Sequence, residues 1–224
     1  MDTLAAKRRA GCPIEVFWYH AWMSLLFLTC GPTHSGKTTF GARLRAALGE
    51  SAKFIHVDND VVDEFVKANF NNLRTDPEVL ARRSPTDPDL RLLIPQLATG
   101  YALREGYSVI VTASHPRRVI RQSYCDIAKA NGARIVLLRF RITDEQAVQR
   151  IQANGRETGV LDTQPHGSVD FQDLFEKQKN VMEEPTDAEK QRYTKIFEIT
   201  EANTDDVLRS VQDMIGQDTS RPLA

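Results

Sequence analysis

Eight residues, Gly31-Pro32-Thr33-His34-Ser35-Gly36-Lys37-Thr38, constrain this chain more than any others. They follow Ser24 to Cys30, an apolar run without polar alternation, which reads as a strand covered on both faces. They lead into Thr38 to Leu48, which reads as a helix stopped by Gly49. The octapeptide satisfies G-x-x-x-x-G-K-[ST] in the strand–loop–helix context that the pattern needs. Its glycines let backbone N–H groups converge on one anion. The following helix aims its positive N-terminus at the same point.

This is the chemistry of a P-loop. Lys37 reaches β/γ-phosphate oxygens and the Thr38 hydroxyl suits Mg²⁺. The expected nucleotide contacts are Gly31, Pro32, Thr33, His34, Ser35, Gly36, Lys37, Thr38 and Thr39, and the expected ligands are ATP and Mg²⁺. His34, at a variable loop position, is expected to point outward.

Further apolar runs alternate with helical patterns. Phe54 to Val57, Ser108 to Ala113, Arg134 to Phe140 and Lys195 to Ile199 read as strands. Helices are expected from Val61 to Phe70, from Asp87-Pro88 towards Glu105, from His115-Pro116 to Asn131-Gly132, and over Phe171 to Met182. Thr143-Asp144-Glu145-Gln146 is a capping box opening another, and Asn203 is placed to cap a C-terminal amphipathic one. This alternation specifies an α/β P-loop NTPase fold, a five-stranded parallel sheet with helices on both faces. Residues 1–22 read as an N-terminal extension, 23–218 as the domain and 219–224 as a tail.

Composition excludes several classes. A net charge of −1 over 224 residues argues against a large nucleic-acid footprint. Three cysteines without C-x-x-C spacing argue against a disulfide scaffold or a zinc site, and suit a cytoplasmic protein. The apolar run near the N-terminus is short for a membrane span, and its last part is the strand that the loop requires. N-K-x-D, the guanine-reading pattern of GTPases, is absent, and the chain is short for a motor or an AAA+ machine, which leaves the small kinases.

The order of P-loop, Val57-Asp58-Asn59-Asp60, Gly106-Tyr107-Ser108-Val109-Ile110-Val111, then Arg150 and Arg156, resembles the zeta-toxin and polynucleotide-kinase-like group of P-loop kinases. The resemblance implies that Asp60 accepts the proton of a substrate hydroxyl and that Arg150 and Arg156 are lid arginines. Chemistry agrees with a carboxylate placed to orient a phosphoryl acceptor. Asp58 competes for that role, or assists Mg²⁺ through water beside Thr38. The plainer alternative is that both carboxylates form a turn and cap the next helix. Thr112-Ala113-Ser114 departs from the acidic residue that many P-loop kinases carry at the end of the third strand. Thr112 or Ser114 could bind a metal water or a substrate hydroxyl, but neither replaces a carboxylate charge, which leaves room for a weakened or repurposed enzyme.

The implied activity is transfer of the γ-phosphate of ATP to a hydroxyl of a small molecule. A polynucleotide 5′-hydroxyl kinase is one alternative, kept open by the basic cluster Arg117, Arg118 and Arg121, which otherwise reads as solvated surface. A nucleotide-binding regulatory protein without phosphoryl transfer is the other. His56 reads as a satisfied core histidine.

Overall fold

The computed structural model describes residues 24–69, 90–154 and 171–219. Five parallel strands, β1 (Leu25–Cys30), β2 (Phe54–Asp58), β3 (Ser108–Thr112), β4 (Arg134–Phe140) and β5 (Lys195–Ile199), form one sheet in the order β2-β3-β1-β4-β5. The helices between them are α1 (Lys37–Leu48), α2 (Asn59–Asn69), α3 (Leu90–Arg104), α4 (Arg118–Ala130), α5 (Asp144–Asn154), α6 (Phe171–Asn180) and the single turn α7 (Asp187–Lys190). A 3₁₀ turn (Glu201–Asn203) leads into the last helix, α8 (Thr204–Thr219).

The sheet has two apolar layers, which explains why its central strands show no polar alternation. Successive strand residues face opposite sides. Leu26 and Leu28 of β1 join Val109, Val111, Ile135 and Leu137 beneath α3 and α4, where Leu103, Tyr124 and Ala128 meet them. Leu25 and Phe27 join Ile110, Val136 and Leu138 against Phe40 and Leu44 of α1 and Val207, Val211 and Ile215 of α8. Every residue of β1 and β3 is buried. Among the described residues β2 lies at one edge and pairs only with β3, and it is mostly half-buried.

The expected strands and helices fall where the sequence puts them, with local differences. Thr143 and Gln146 close the capping box of α5: Gln146 N donates to Thr143 Oγ1 and Thr143 N to Gln146 Oε1, both at 3.2 Å. Asn203 does not cap α8 forwards. Its Oδ1 accepts from Thr200 N at 2.8 Å and its Nδ2 donates to Glu198 O at 2.9 Å, so it closes the preceding 3₁₀ turn instead. α2 starts at Asn59 rather than Val61, which moves Asp60 into its first turn. The extension over 1–22 and the Asp87-Pro88 helix start lie outside the described residues. Among the described residues no helix is long and apolar enough to cross a membrane.

Candidate nucleotide and acceptor site

The site grows from the C-terminal end of β1, the central strand. Its chain leaves the sheet at Gly31, whose φ is 151° and whose amide donates to Ser114 O at 3.1 Å. A Cβ there would lie 2.7 Å from the Phe140 carbonyl oxygen and 2.9 Å from Phe140 Cβ, so only glycine lets the loop turn against β4. Gly36, at φ 96°, forms the N-cap of α1 with no side-chain cap and no acidic residue in the first turn. The N-terminal amides of α1 are therefore offered to an external anion rather than to a side chain of their own.

Lys37 is buried and folds back on the loop, donating to Pro32 O and, at 3.1 Å, to Ser35 Oγ. Burial pushes its pKa down to about 8, against the opposing pull of Asp60 and Asp58. Thr38 and Thr39 follow as exposed residues. His34 does not simply point outward: it is half-buried at φ 57°, burial lowers its pKa, and its carbonyl accepts from Arg150.

The end of β2 supplies the carboxylates. Asp58 pairs in register with Thr112 on β3. Its Oδ1 accepts the Asp60 amide at 2.9 Å, so it caps the start of α2, as the plainer sequence alternative has it. Its Oδ2 lies 3.9 Å from His56 Nε2. Asp60, exposed in the first turn of α2, and Asp58 both act electrostatically on Lys37. Lys37, Asp58 and Asp60 thus share one end of the sheet.

Thr112, where a carboxylate is missing, is buried and bonded to His56: Oγ1 and Nε2 are 2.8 Å apart. His56 is a satisfied histidine, and burial lowers its pKa despite the nearby Asp58. Arg150, on α5, reaches the loop: one Nη donates to His34 O and the other to Glu201 Oε2, each at 3.2 Å. Arg156 lies outside the described residues.

Gln178 of α6 was not foreseen. Its Oε1 accepts the Thr33 amide at 2.6 Å and the Ser114 hydroxyl at 3.1 Å. A glutamine in a polar helix carries no pattern, and only the fold brings it to the loop 145 residues away.

The basic cluster is corrected. Arg121 is fully buried, not solvated. Its Nε and one Nη donate to the two Glu189 oxygens at 2.6 and 3.0 Å, and its other donors reach the carbonyls of His115, Pro116 and Glu183 at 2.9–3.0 Å. Tyr193 Oη also donates to Glu189 Oε1, at 2.9 Å. Burial alone would raise the Glu189 pKa; the bonds from Arg121 and Tyr193 outweigh it and hold the carboxyl low. Arg118 is half-exposed beside the same carboxylate, at 3.6 Å. Arg117 and Arg118 keep the surface character expected of them; Arg121 alone does not.

A pocket of about 240 Å³ opens beside Gly31 and Pro32, between the end of β4 and α6. Its charges answer one another: Arg139 and Arg141 bond Glu184, and Lys179 bonds Asp144. Among the described residues no group of three or more histidine, cysteine, aspartate or glutamate side chains is arranged to hold a metal on its own. Cys30 and Cys125 are buried free thiols.

Comparison with known proteins agrees with this architecture. No curated protein matches the chain. Among solved structures, a gluconokinase from Sinorhizobium meliloti is 17% identical with a TM-score of 0.50, covering 87% of this chain and 93% of its own. Kti12 from Chaetomium thermophilum, in complex with ADP-AlF3, is 17% identical with a TM-score of 0.53, covering 85% and 98%. The APS kinase of Mycobacterium tuberculosis, in complex with AMPPNP and APS, is 14% identical with a TM-score of 0.52, covering 87% and 98%. These likenesses are of fold. The family model described as AAA domain matches residues 26–185, from the second residue of β1 past α6. The chain therefore belongs to the AAA domain family, built on a P-loop NTPase fold.

Proposed function

We propose that the chain is an ATP-dependent phosphotransferase that moves the γ-phosphate of ATP to a hydroxyl of a small-molecule acceptor. One observation carries the reading: the carboxylates closing β2 lie within electrostatic reach of the buried loop lysine, Lys37. In this reading the loop amides and the α1 N-terminus hold the phosphates, while Lys37 and Arg150 offset charge on the transferring group. Asp60 takes the acceptor proton as the acceptor oxygen bonds to the γ-phosphorus. The bond from phosphorus to the β,γ-bridging oxygen breaks, and ADP leaves. Asp60 then returns its proton to water.

The donors present fit Mg²⁺. Thr38 offers a hydroxyl and Asp58 a carboxylate, and this hard cation usually takes few protein oxygens beside phosphate and water. Bound there, Mg²⁺ would neutralise phosphate charge. Arg156, by its resemblance to a lid arginine, joins Arg150 in this proposal, as does membership of the zeta-toxin and polynucleotide-kinase-like group. A nucleic-acid end is the weaker acceptor reading, because Arg121 is spent on Glu189. A binding protein without transfer is favoured only by Thr112, whose hydroxyl is buried and committed to His56.

The test is γ-labelled ATP with Mg²⁺ against pooled sugars, amino sugars, nucleotide sugars, nucleosides, antibiotics and 5′-hydroxyl oligonucleotides, with Lys37→Ala and Asp60→Asn alongside. Label transfer lost in both variants is the expected result. Tight ATP binding with no pool labelled would overturn the transferase reading in favour of a binding role.

A further inference from the structure

The end of β3 lacks a carboxylate, and of its two hydroxyls Thr112 is buried against His56. Ser114 is different. It is half-buried, next to the loop, and its backbone carbonyl holds the Gly31 amide at 3.1 Å. Its hydroxyl meets Gln178 Oε1 at 3.1 Å, and the same oxygen holds the Thr33 amide at 2.6 Å.

Chemistry fixes the direction of both bonds. An amide N–H only donates, so the atom of Gln178 facing Thr33 is the carbonyl oxygen. That oxygen only accepts, so Ser114 spends its single proton on it. Ser114 Oγ is left with lone pairs alone. It repels a phosphate oxygen and welcomes an O–H donor. The position along the nucleotide follows from Lys37, the residue that serves the β/γ oxygens, whose ammonium rests on Pro32 O, one residue before Thr33. Thr33, Ser114 and Gln178 therefore lie at the β/γ end of the loop.

We propose that Ser114 Oγ accepts a hydrogen bond from a water carried by Mg²⁺ at that end, and that Gln178 is the positioning residue that fixes the hydroxyl for accepting. The inference rests on the reading of the loop as an ATP·Mg²⁺ site. It places the work of the missing β3 carboxylate two residues further along the chain, on a neutral oxygen whose direction is set from α6.

The experiment is calorimetric titration of ATP into the full chain with Mg²⁺ and with EDTA, for wild type, Ser114→Ala, Gln178→Met, Gln178→Glu and the double variant Ser114→Ala/Gln178→Met. Thermal melting of each variant runs in parallel. One hydrogen bond corresponds to a loss of about 3- to 10-fold in the tightening that Mg²⁺ gives. That loss is expected in Ser114→Ala and in Gln178→Met, with no further loss in the double variant, since the two act as a unit. Gln178→Glu keeps an accepting oxygen and should keep the Mg²⁺ tightening, even where its charge weakens ATP overall. Equal Mg²⁺ tightening in wild type, Ser114→Ala and Gln178→Met overturns the inference, as do additive losses. A wild type that binds ATP equally with Mg²⁺ and with EDTA overturns it while leaving the nucleotide site standing; a wild type that binds no ATP overturns both.

Discussion

Glu189→Ala should be among the most damaging single changes outside the loop, and the structure gives its size. Arg121 has five N–H donors and five oxygen acceptors around it, two of them the Glu189 carboxylate. Both side chains are almost fully removed from water. Removing the carboxylate leaves a buried guanidinium with two unmet donors and no counter-charge, and strands the Tyr193 hydroxyl. Breaking one side of such a pair costs about 3–5 kcal/mol. For a chain of this length each kcal/mol lowers Tm by about 2–4 °C, which gives a fall of roughly 6–20 °C. Glu183→Gln is the control. Its exposed carboxylate bonds the Arg118 amide at 2.7 Å, while its role towards Arg121 is played by the backbone carbonyl, which survives the change. It should cost no more than about 1 kcal/mol. Both melts can be followed by circular dichroism at neutral pH. A Glu189→Ala melt within about 3 °C of wild type would refute the reasoning, because the guanidinium would then have found water or another partner. The sign with pH follows: a carboxyl held low when folded contributes stability above its unfolded pKa, and loses it as pH falls through the folded value.

Two further outcomes are expected. Gly41→Ala places a methyl 2.6 Å from His56 Nε2 and 2.9 Å from Thr112 Cγ2, so the His56–Thr112 bond must yield; a loss of about 1–3 kcal/mol is expected in denaturant titration, and an unchanged midpoint would contradict it. Lys37, pushed down to about 8 by burial, must be protonated to hold polyphosphate, so ATP binding should take up protons and weaken about fivefold between pH 8 and pH 9; calorimetry in buffers of different ionisation enthalpy reads this, and a flat profile would rule it out.

Most of the fold was legible because its cause is local. Unbroken apolar runs such as Ile135–Leu138 announce strands covered on both faces, and both apolar layers are present. The loop was legible because glycine spacing and lysine are themselves the chemistry. What escaped depends on contacts made across long stretches of chain. Arg121 looked like surface because its partner Glu189 lies 68 residues away, in a helix of one turn that has no periodicity to reveal it. Gln178 escaped for the same reason. Asn203 reads as a forward cap because a side chain that can close a turn behind it has the same identity as one that caps a helix ahead. Asp58 shows the converse: the capping role that its identity suggests is met by one oxygen, while the other stands 3.9 Å from His56 Nε2.

The phosphate loop springs from the central strand, whereas Asp58 and Asp60 ride on the edge strand and the helix that follows it. An edge strand pairs on one side only, so its amides open to exchange at lower free energy than those of the strands between neighbours. In hydrogen-exchange terms β2 and the start of α2 should form a cooperative unit of their own, exchanging before β1, β3 and β4. Brief opening of that unit carries the carboxylates away from Lys37 while the cradle stays folded; under the proposed function, the chain would then keep its grip on a nucleotide through fluctuations that suspend its reach towards a second molecule.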